Sequence, residues 1–371
     1  MPTILTRSKN QRLGGAFIIS DSFPFPVDPI DRLASTVSNT DTEIENRALF
    51  TQWRFEPNKH WAFDVGLRYD TEDYQTQRSD TVTNISPAEC LITIATAISC
   101  DIASQLLERP AEPLQADNHA VWLPRAAVTY RVSDELSMFA SVRRGYRAGG
   151  AALAINDLGQ AIVVTYEPEY LLGYEAGWRS AWMNGRLTFN GTVFYSDYQD
   201  QQISVQDSRG FAIVDNAGKT HVYGIELSSD YRMNEAWSLY GNVGLLETSI
   251  QEFIFDAFTD PPVNLAGNKL DNAPSVSMTV GVNYARQSGL FGNISLNYRS
   301  ASWSDVFNLG PAELGEGISE RIEAAYLLNA RLGYRFEGFT ITGFATNLLN
   351  EDAPESLNFA DGGVLNGIGG F

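Results

Sequence analysis

The stretch 60–70 reads HWAFDVGLRYD, and its apolar and polar side chains alternate along the whole length. Its apolar members fall on every second position: Trp61, Phe63, Val65, Leu67 and Tyr69. Successive residues of a strand point to opposite faces, so the stretch predicts a strand with one apolar and one polar face. Residues 187–196 and 276–284 carry largely the same pattern.

Short polar turns separate these alternating segments at intervals of about fifty residues. The six turns are Glu56–Lys59, Val132–Glu135, Met183–Gly185, Met233–Glu235, Gln287–Gly289 and Glu337–Gly338. The flanking segments run for ten to fourteen residues, and longer polar stretches join each hairpin to the next. Short turns at one end and long loops at the other are typical of outer-membrane barrels, whose tilted strands need about 9–11 residues. We therefore expect an all-β fold, an antiparallel transmembrane β-barrel.

A soluble β-propeller is an alternative fold, because some propeller blades also repeat near fifty residues. Each blade, however, has four shorter strands, whereas every repeat here offers two long ones. Six hairpins supply twelve strands, and residues 12–20 are interpreted as a thirteenth. The pattern favours thirteen strands of one barrel.

Composition narrows the function classes. The net charge of −19 argues against a nucleic-acid partner, which requires a basic patch. The sequence contains no run of 18 apolar residues, so no transmembrane helix is predicted. Several tryptophans lie beside the short turns, as in the aromatic girdles at membrane interfaces: Trp53, Trp61, Trp182 and Trp237.

The cysteines and histidines give little evidence of a metal site or a catalytic site. Cys90 and Cys100 lie in one long loop-like stretch, 78–118, and a local disulfide is predicted over a metal site, with two free thiols as the alternative. The three histidines lack metal-ligand spacing, and a hydrolytic pair of His60 and Asp64 is a weak hypothesis. No enzyme activity and no cofactor are expected.

Several segments, in order along residues 44–350, resemble the barrel of TonB-dependent outer-membrane receptors. The segments are Leu123–Tyr130, Phe139–Gly150, Tyr166–Glu169, Tyr174–Gly177, Asn216–Lys219, Tyr223–Glu226, Tyr326–Arg331 and Asn347–Asn350. Family barrels have 22 strands around a plugged lumen. The resemblance implies that 1–371 is the C-terminal portion of such a barrel, about 13 of 22 strands, numbered nine to twenty-one, without the plug domain.

Charged residues on the predicted polar faces are candidate lumen-facing groups. They are Arg68, Glu175, Arg179, Arg186, Glu226, Arg232, Arg299 and Arg331. The family fills its lumen with the plug, so the resemblance implies that most of these charges form structural pairs with plug or barrel. They are not predicted to be substrate ligands.

The resemblance implies an outer-membrane protein of a Gram-negative bacterium that takes up a scarce solute with energy from TonB. The expected partners are outer-membrane lipids and the TonB complex, the latter contacted through sequence not present in these residues. The solute class stays open among ferric siderophore, cobalamin and glycan. A passive porin-like channel is the alternative function.

Overall fold

The computed structural model describes residues 11–17, 34–85, 115–155, 161–206, 212–255, 262–286, 288–310, 321–352, 354, 357–360 and 363–366. Throughout these ranges the regular secondary structure is β-strand, and no helix in them is long and apolar enough to span a membrane. Cys90 and Cys100 lie outside the described residues, so the disulfide stays a prediction.

Twenty-one strands are described, and thirteen of them form one large sheet. Their bounds are β1 Gln11–Phe17, β2 Ala34–Phe55, β3 Trp61–Ile85, β4 Gln115–Arg131, β5 Leu136–Arg147, β6 Gly150–Ile155, β7 Ala161–Tyr166, β8 Glu169–Trp182, β9 Leu187–Gln206, β10 Ala212–Arg232, β11 Trp237–Glu252, β12 Ile254–Phe255, β13 Val263–Asn264, β14 Val276–Ala285, β15 Gly289–Arg299, β16 Ser302–Trp303, β17 Arg321–Ile322, β18 Ala325–Arg335, β19 Thr340–Ala345, β20 Leu357–Ala360 and β21 Gly363–Asn366.

The large sheet has the order β1-β2-β3-β4-β5-β8-β9-β10-β11-β14-β15-β18-β19, so each strand lies beside its predecessor within the sheet. Its described strand pairs run antiparallel, for example between β9 and β10 and between β14 and β15. Four two-stranded sheets are also described: three of them, such as β6 with β7, lie between long strands in sequence, and β20 with β21 follows β19. The predicted thirteen antiparallel strands are confirmed, and one continuous sheet excludes the blades of a propeller.

All six predicted short turns join neighbouring strands of this sheet. In two of them an asparagine side chain closes the turn. Asn58 Oδ1 accepts hydrogen bonds from the backbone N–H groups of His60 (2.9 Å) and Trp61 (3.1 Å). Asn234 Oδ1 accepts from Ala236 and Trp237, both at 2.9 Å. A short side chain that mimics a backbone turn explains why both turns are so tight.

Several strands are longer than the predicted ten to fourteen residues, so that estimate was wrong. β2, β3, β9 and β10 contain 22, 25, 20 and 21 residues. The pairing of β9 with β10 continues to Gln206 and Ala212, through a region predicted as loop. Backbone pairing with the neighbouring strand satisfies polar groups there, and sequence alternation does not report that gain.

Contacts divide the chain into two compact units, one of residues 1–49 and 69–121 and another of 50–68 and 122–371. In the first unit β1 pairs with β2, from Gln11 opposite Thr40 to Phe17 opposite Ala34. The hydroxyl of Thr71 donates to the Arg47 carbonyl (3.3 Å).

The second unit holds the rest of the described sheet and a small apolar core. That core consists of Ile203, Ala217, Ile250, Phe253, Phe255, Leu265 and Val306, all at most 4% exposed. It lies at the long-loop ends of β9, β10 and β11 together with the connecting segments. The hydrophobic packing of this unit is therefore concentrated away from the short turns.

Candidate functional site

The strand registers of the second unit assign the residues of its long strands to two faces. On one face, which we call the polar face, Glu175 lies opposite Phe194, Thr192 opposite Glu226, and Asn242 opposite Thr279. On the other, the apolar face, Val193 lies opposite Ile225 and Val280 opposite Leu296. The apolar side chains are exposed, Val193 by 44% and Ile294 by 47%.

An ion pair crosses two strands on the polar face. Arg143 of β5 and Glu175 of β8 are joined by Nη2 and Oε1 at 2.9 Å. The Arg143 side chain is 58% exposed, so the guanidinium stays open to a further partner. Arg143 shares this face with Ser141, which lies directly opposite Glu175.

Glu226 lies in a polar recess of about 350 Å³ on the same face. Short hydroxyl and amide side chains surround it: Asn190, Thr192, Ser228, Asn242, Ser277 and Thr279. Asn190 Nδ2 donates to Ser228 Oγ across β9 and β10 (3.4 Å), and Thr279 Oγ1 donates to Asn297 Oδ1 (2.8 Å). The recess offers one carboxylate among neutral hydrogen-bonding groups.

Three further arginines predicted on the polar face contact aromatic rings or a backbone carbonyl. The Arg179 guanidinium lies 5.3 Å from the centroid of the Phe139 ring, and that of Arg331 lies 5.6 Å from the Phe291 ring. Arg299 Nη2 donates to the Pro354 carbonyl. Stacking on rings and bonding to backbone are structural uses of a guanidinium.

Arg186 and Arg232 lie at the short-turn end. Arg186 Nε donates to the Arg232 carbonyl (3.1 Å) and its Nη2 to the Met233 carbonyl. Arg232 Nη2 donates to the Gly185 carbonyl (2.7 Å). These two arginines hold adjacent turns together. Arg68 is exposed in β3, two residues beyond Gly66, whose face is covered by the Arg125 side chain.

A hydrogen-bonded brace joins the long-loop ends of the strands. Asn216 Nδ2 donates to the carbonyls of Glu167 (3.0 Å) and Asp200 (2.7 Å). Gln202 Nε2 donates to the carbonyls of Ala148 (2.7 Å) and Glu167 (3.1 Å). Asn216 lies within β10 and bonds two segments that are distant from it in sequence.

Comparison with known proteins gives the family. The family model "TonB dependent receptor-like, beta-barrel" matches residues 5–348. The chain belongs to the TonB-dependent receptor family. A curated relative, the metal-pseudopaline receptor CntO of Pseudomonas aeruginosa, is 25% identical over 299 residues, which are 78% of this chain and 36% of the relative.

Solved TonB-dependent receptors share the fold. The ferric yersiniabactin uptake receptor FyuA from Yersinia pestis matches with a TM-score of 0.66 and 17% identity, over 89% of this chain and 46% of that one. The siderophore receptor PiuA from Acinetobacter baumannii matches with a TM-score of 0.63 and 14% identity, over 85% and 40%. The chain thus spans less than half the length of these relatives.

Family membership bears on the alternatives. TonB-dependent receptors are transporters of the Gram-negative outer membrane, so a passive porin is not favoured. His60 and Asp64, the weakly predicted hydrolytic pair, have separate partners: His60 Nδ1 donates to the Arg131 carbonyl (2.8 Å), and the Asp64 carboxylate lies 3.6 Å from the Arg54 guanidinium.

Steric crowding explains why a glycine stands at position 149 of the receptor-like segment Phe139–Gly150. A Cβ at Gly149 would lie 2.6 Å from the Tyr166 carbonyl oxygen and 3.1 Å from the Pro168 nitrogen. Residues 148–149 therefore pass directly against the segment that enters β8. This close approach is at the Asn216–Gln202 brace, so three of the resembling segments meet at one place.

Arg143 was missed as a polar-face charge, although the sequence contained the signal. Ser137, Ser141 and Arg143 alternate with Met138 and Val142, which places Arg143 on the polar face of the strand. Its pairing with Glu175 needed the register between β5 and β8, which the sequence does not give.

Proposed function

We propose that this chain forms barrel strands of an outer-membrane receptor that imports a metal chelate with energy supplied by the TonB complex. The observation that carries the proposal is the sheet with an exposed apolar face and a charged polar face, in a chain of this family. Lipid is the solvent that makes such an apolar face stable, because in water its exposure would be unfavourable.

We propose the domain assignment on the same basis: residues 1–371 belong to the barrel domain, with the polar face turned to its lumen. Arg68, Glu175, Arg179, Glu226, Arg299 and Arg331 then face the lumen. Glu226, in its recess of neutral side chains, and the open guanidinium of Arg143 are positioned to meet a structure that fills the lumen. Arg186 and Arg232 serve the turns instead.

The metal-chelate class is supported by the relatives. CntO is a metal-pseudopaline receptor, FyuA a ferric yersiniabactin receptor and PiuA a siderophore receptor. At identities this low, the likeness to these proteins shows a shared fold and does not identify the individual chelate. We therefore propose the class of chelated transition metals ahead of cobalamin and glycans.

The test is uptake by the native organism. A strain lacking the gene for this receptor is compared with the same strain complemented by the intact gene, in metal-limited medium with radiolabelled iron, zinc or nickel chelates. The complemented strain should accumulate at least one chelate, and a protonophore should abolish that accumulation because TonB coupling uses the proton gradient.

Two results would contradict the proposal. Entry that persists after the gradient is collapsed would support the porin alternative. Restored uptake of cobalamin or a glycan, with no chelate accumulated, would reject the solute class and leave the transporter assignment intact.

A further inference from the structure

A groove of about 610 Å³ crosses the apolar face over β5, β8, β9 and β10. Its floor is formed by Ala140 and Ala176, which are cross-strand partners. Tyr174, Tyr195 and Tyr223 border it. The volume lies in the range of roughly 300–1,000 Å³ found for ligand pockets, and the groove opens toward the surrounding solvent.

The registers arrange this region in transverse rows. Ala140, Ala176, Val193 and Ile225 form the floor row; Val142, Tyr174, Tyr195 and Tyr223 form the next; Arg144, Leu172, Asp197 and His221 form the third. Each row lies about 7 Å from the next, since a strand rises by about 3.4 Å per residue. The groove therefore passes from small apolar side chains, through a tyrosine border, to a row that carries charge.

In the proposed membrane-spanning sheet, Arg144 stands at the level of the membrane border. It is the ninth residue of β5 counted from the short turn, and a membrane strand needs about 9–11 residues. Its guanidinium lies 5.0 Å from the centroid of the Tyr170 ring, and the side chain is exposed. Tyrosines at this level are typical of the interfacial belt.

Other charges near this level on the apolar face have partners of opposite sign, and Lys219, one row further along β10, lies opposite Glu252 of β11. Asp197 lies 3.5 Å from His221, and Glu247 lies 3.0 Å from Lys269. Among the residues that the structure describes, Arg144 forms no ion pair, and its guanidinium contacts the Tyr170 ring. Arg144 thus places a positive charge about 13 Å from the floor row, four residues along β5.

We propose that this groove binds a lipid with a phosphate monoester headgroup, one acyl chain lying over Ala140 and Ala176 and the phosphate at Arg144. The planar guanidinium of arginine can donate two parallel hydrogen bonds to a phosphate. Because Arg144 is already held against the Tyr170 ring, less side-chain entropy is lost on binding. The proposal rests on the proposed outer-membrane function, because the groove faces lipid only if this sheet spans the membrane.

The probe is dipalmitoyl phosphatidic acid, compared with dipalmitoylglycerol, which has the same chains without the phosphate. Binding of each to the intact purified receptor is measured by native mass spectrometry. Arg144→Gln should weaken phosphatidic acid binding about fivefold, the size expected for one arginine near a lipid surface, and leave the diacylglycerol unchanged. Ala176→Leu should weaken both lipids by filling the floor.

Matched controls lie on the same face. Arg286 stacks over Tyr284 at 5.9 Å beside a short turn, so Arg286→Gln removes the same kind of contact at the opposite border. Ala330 faces the lipid side opposite Ile294, away from the groove, and serves as Ala330→Leu. Both variants should bind both lipids like the parent, and unchanged unfolding midpoints would show that all four variants fold.

Equal losses in Arg144→Gln and Arg286→Gln, or no loss in either, would overturn the lipid site while leaving the proposed function standing. If the receptor binds neither lipid and is absent from the outer-membrane fraction of the cell, the proposed location is wrong, and the lipid site is wrong with it.

Discussion

The apolar and polar faces of the larger unit are built from the same strands yet follow opposite rules. Val193 and Ile294 on the apolar face are almost half exposed, whereas polar-face positions hold hydrogen-bonded groups such as Asn190 and Thr279. A soluble sandwich alternates in the same way but hides its apolar face. Alternation alone therefore fits either fold, and the exposure of the apolar side chains is the observation that supports lipid as the neighbour in our proposal.

The largest effect should come from placing a charge on the apolar face. Val193→Arg should lower the free energy of unfolding in lipid by about 2–4 kcal/mol, because an arginine near the middle of the bilayer is poorly solvated. The adjacent Thr192→Arg should change it little, since Thr192 lies on the polar face near Glu226. Urea unfolding in vesicles measures both, and equal losses would remove the distinction between the faces.

Two glycines provide a smaller and matched test. A Cβ at Gly191 would overlap the Trp178 ring on the apolar face, and one at Gly281 would overlap the Tyr240 ring on the polar face. Trp178 can swing into lipid, but Tyr240 accepts a hydrogen bond from Asn293 Nδ2 (3.2 Å) that a displaced ring would lose. Gly281→Ala should therefore cost about 1–3 kcal/mol, as overpacking does, and Gly191→Ala less.

The same vesicle-unfolding measurement ranks these two variants. A greater loss of unfolding free energy for Gly191→Ala than for Gly281→Ala would show that the ring on the apolar face is at least as confined as the ring on the polar face. That result would contradict a fluid lipid neighbour for Trp178.

The exposed ion pair of the polar face should contribute less. A double-mutant cycle of Arg143→Gln and Glu175→Gln should give a coupling free energy of about 0.2–1 kcal/mol, the usual range for solvent-exposed pairs. Salt should weaken it further. A coupling of several kcal/mol would mean that the pair lies in a drier environment than its exposure indicates.

The smallest effect should appear at a short turn, outside both faces. A hydrogen bond from Arg54 to Glu56 at 2.8 Å, with the charges of Arg54 and Arg131, lowers the pKa of the Glu56 carboxyl below its ordinary 4.5. A depressed pKa stabilises the fold above the ordinary value and loses that contribution as the pH falls through the depressed one. Glu56→Gln should therefore flatten the stability profile below about pH 4.5; a profile unchanged from the parent would contradict this.

Much of the fold could be predicted because it depends on local patterns. Alternation located the strands, and turn residues such as Asn58 and Asn234 located the connections, since each acts on backbone two or three residues away. The long extensions of β9 and β10 escaped prediction because they are held by pairing between strands. Asn216 bonds Glu167, which is 49 residues away, and no local pattern reports such a contact.

The candidate site was predictable only in part for the same reason. Parity identified Glu175, Glu226 and Arg179 as polar-face residues, and it could have identified Arg143. It could not show that Arg186 and Arg232 bond to turn carbonyls, because a residue beside a turn can direct its side chain along the sheet edge. The lumen partners of these charges stay proposals.

The most direct test of the two-face assignment is a spin-label scan of residues 187–196 in the receptor reconstituted in lipid, with Cys90 and Cys100 replaced by serine. Collision rates with oxygen, which concentrates in lipid, and with a water-soluble nickel chelate are measured at each position. We expect period-two profiles of opposite phase, with positions 189, 193 and 195 oxygen-rich and positions 190, 192 and 196 poor in oxygen. Profiles without that alternation, or nickel contact at 193 equal to that at 192, would contradict the assignment of the apolar face to lipid.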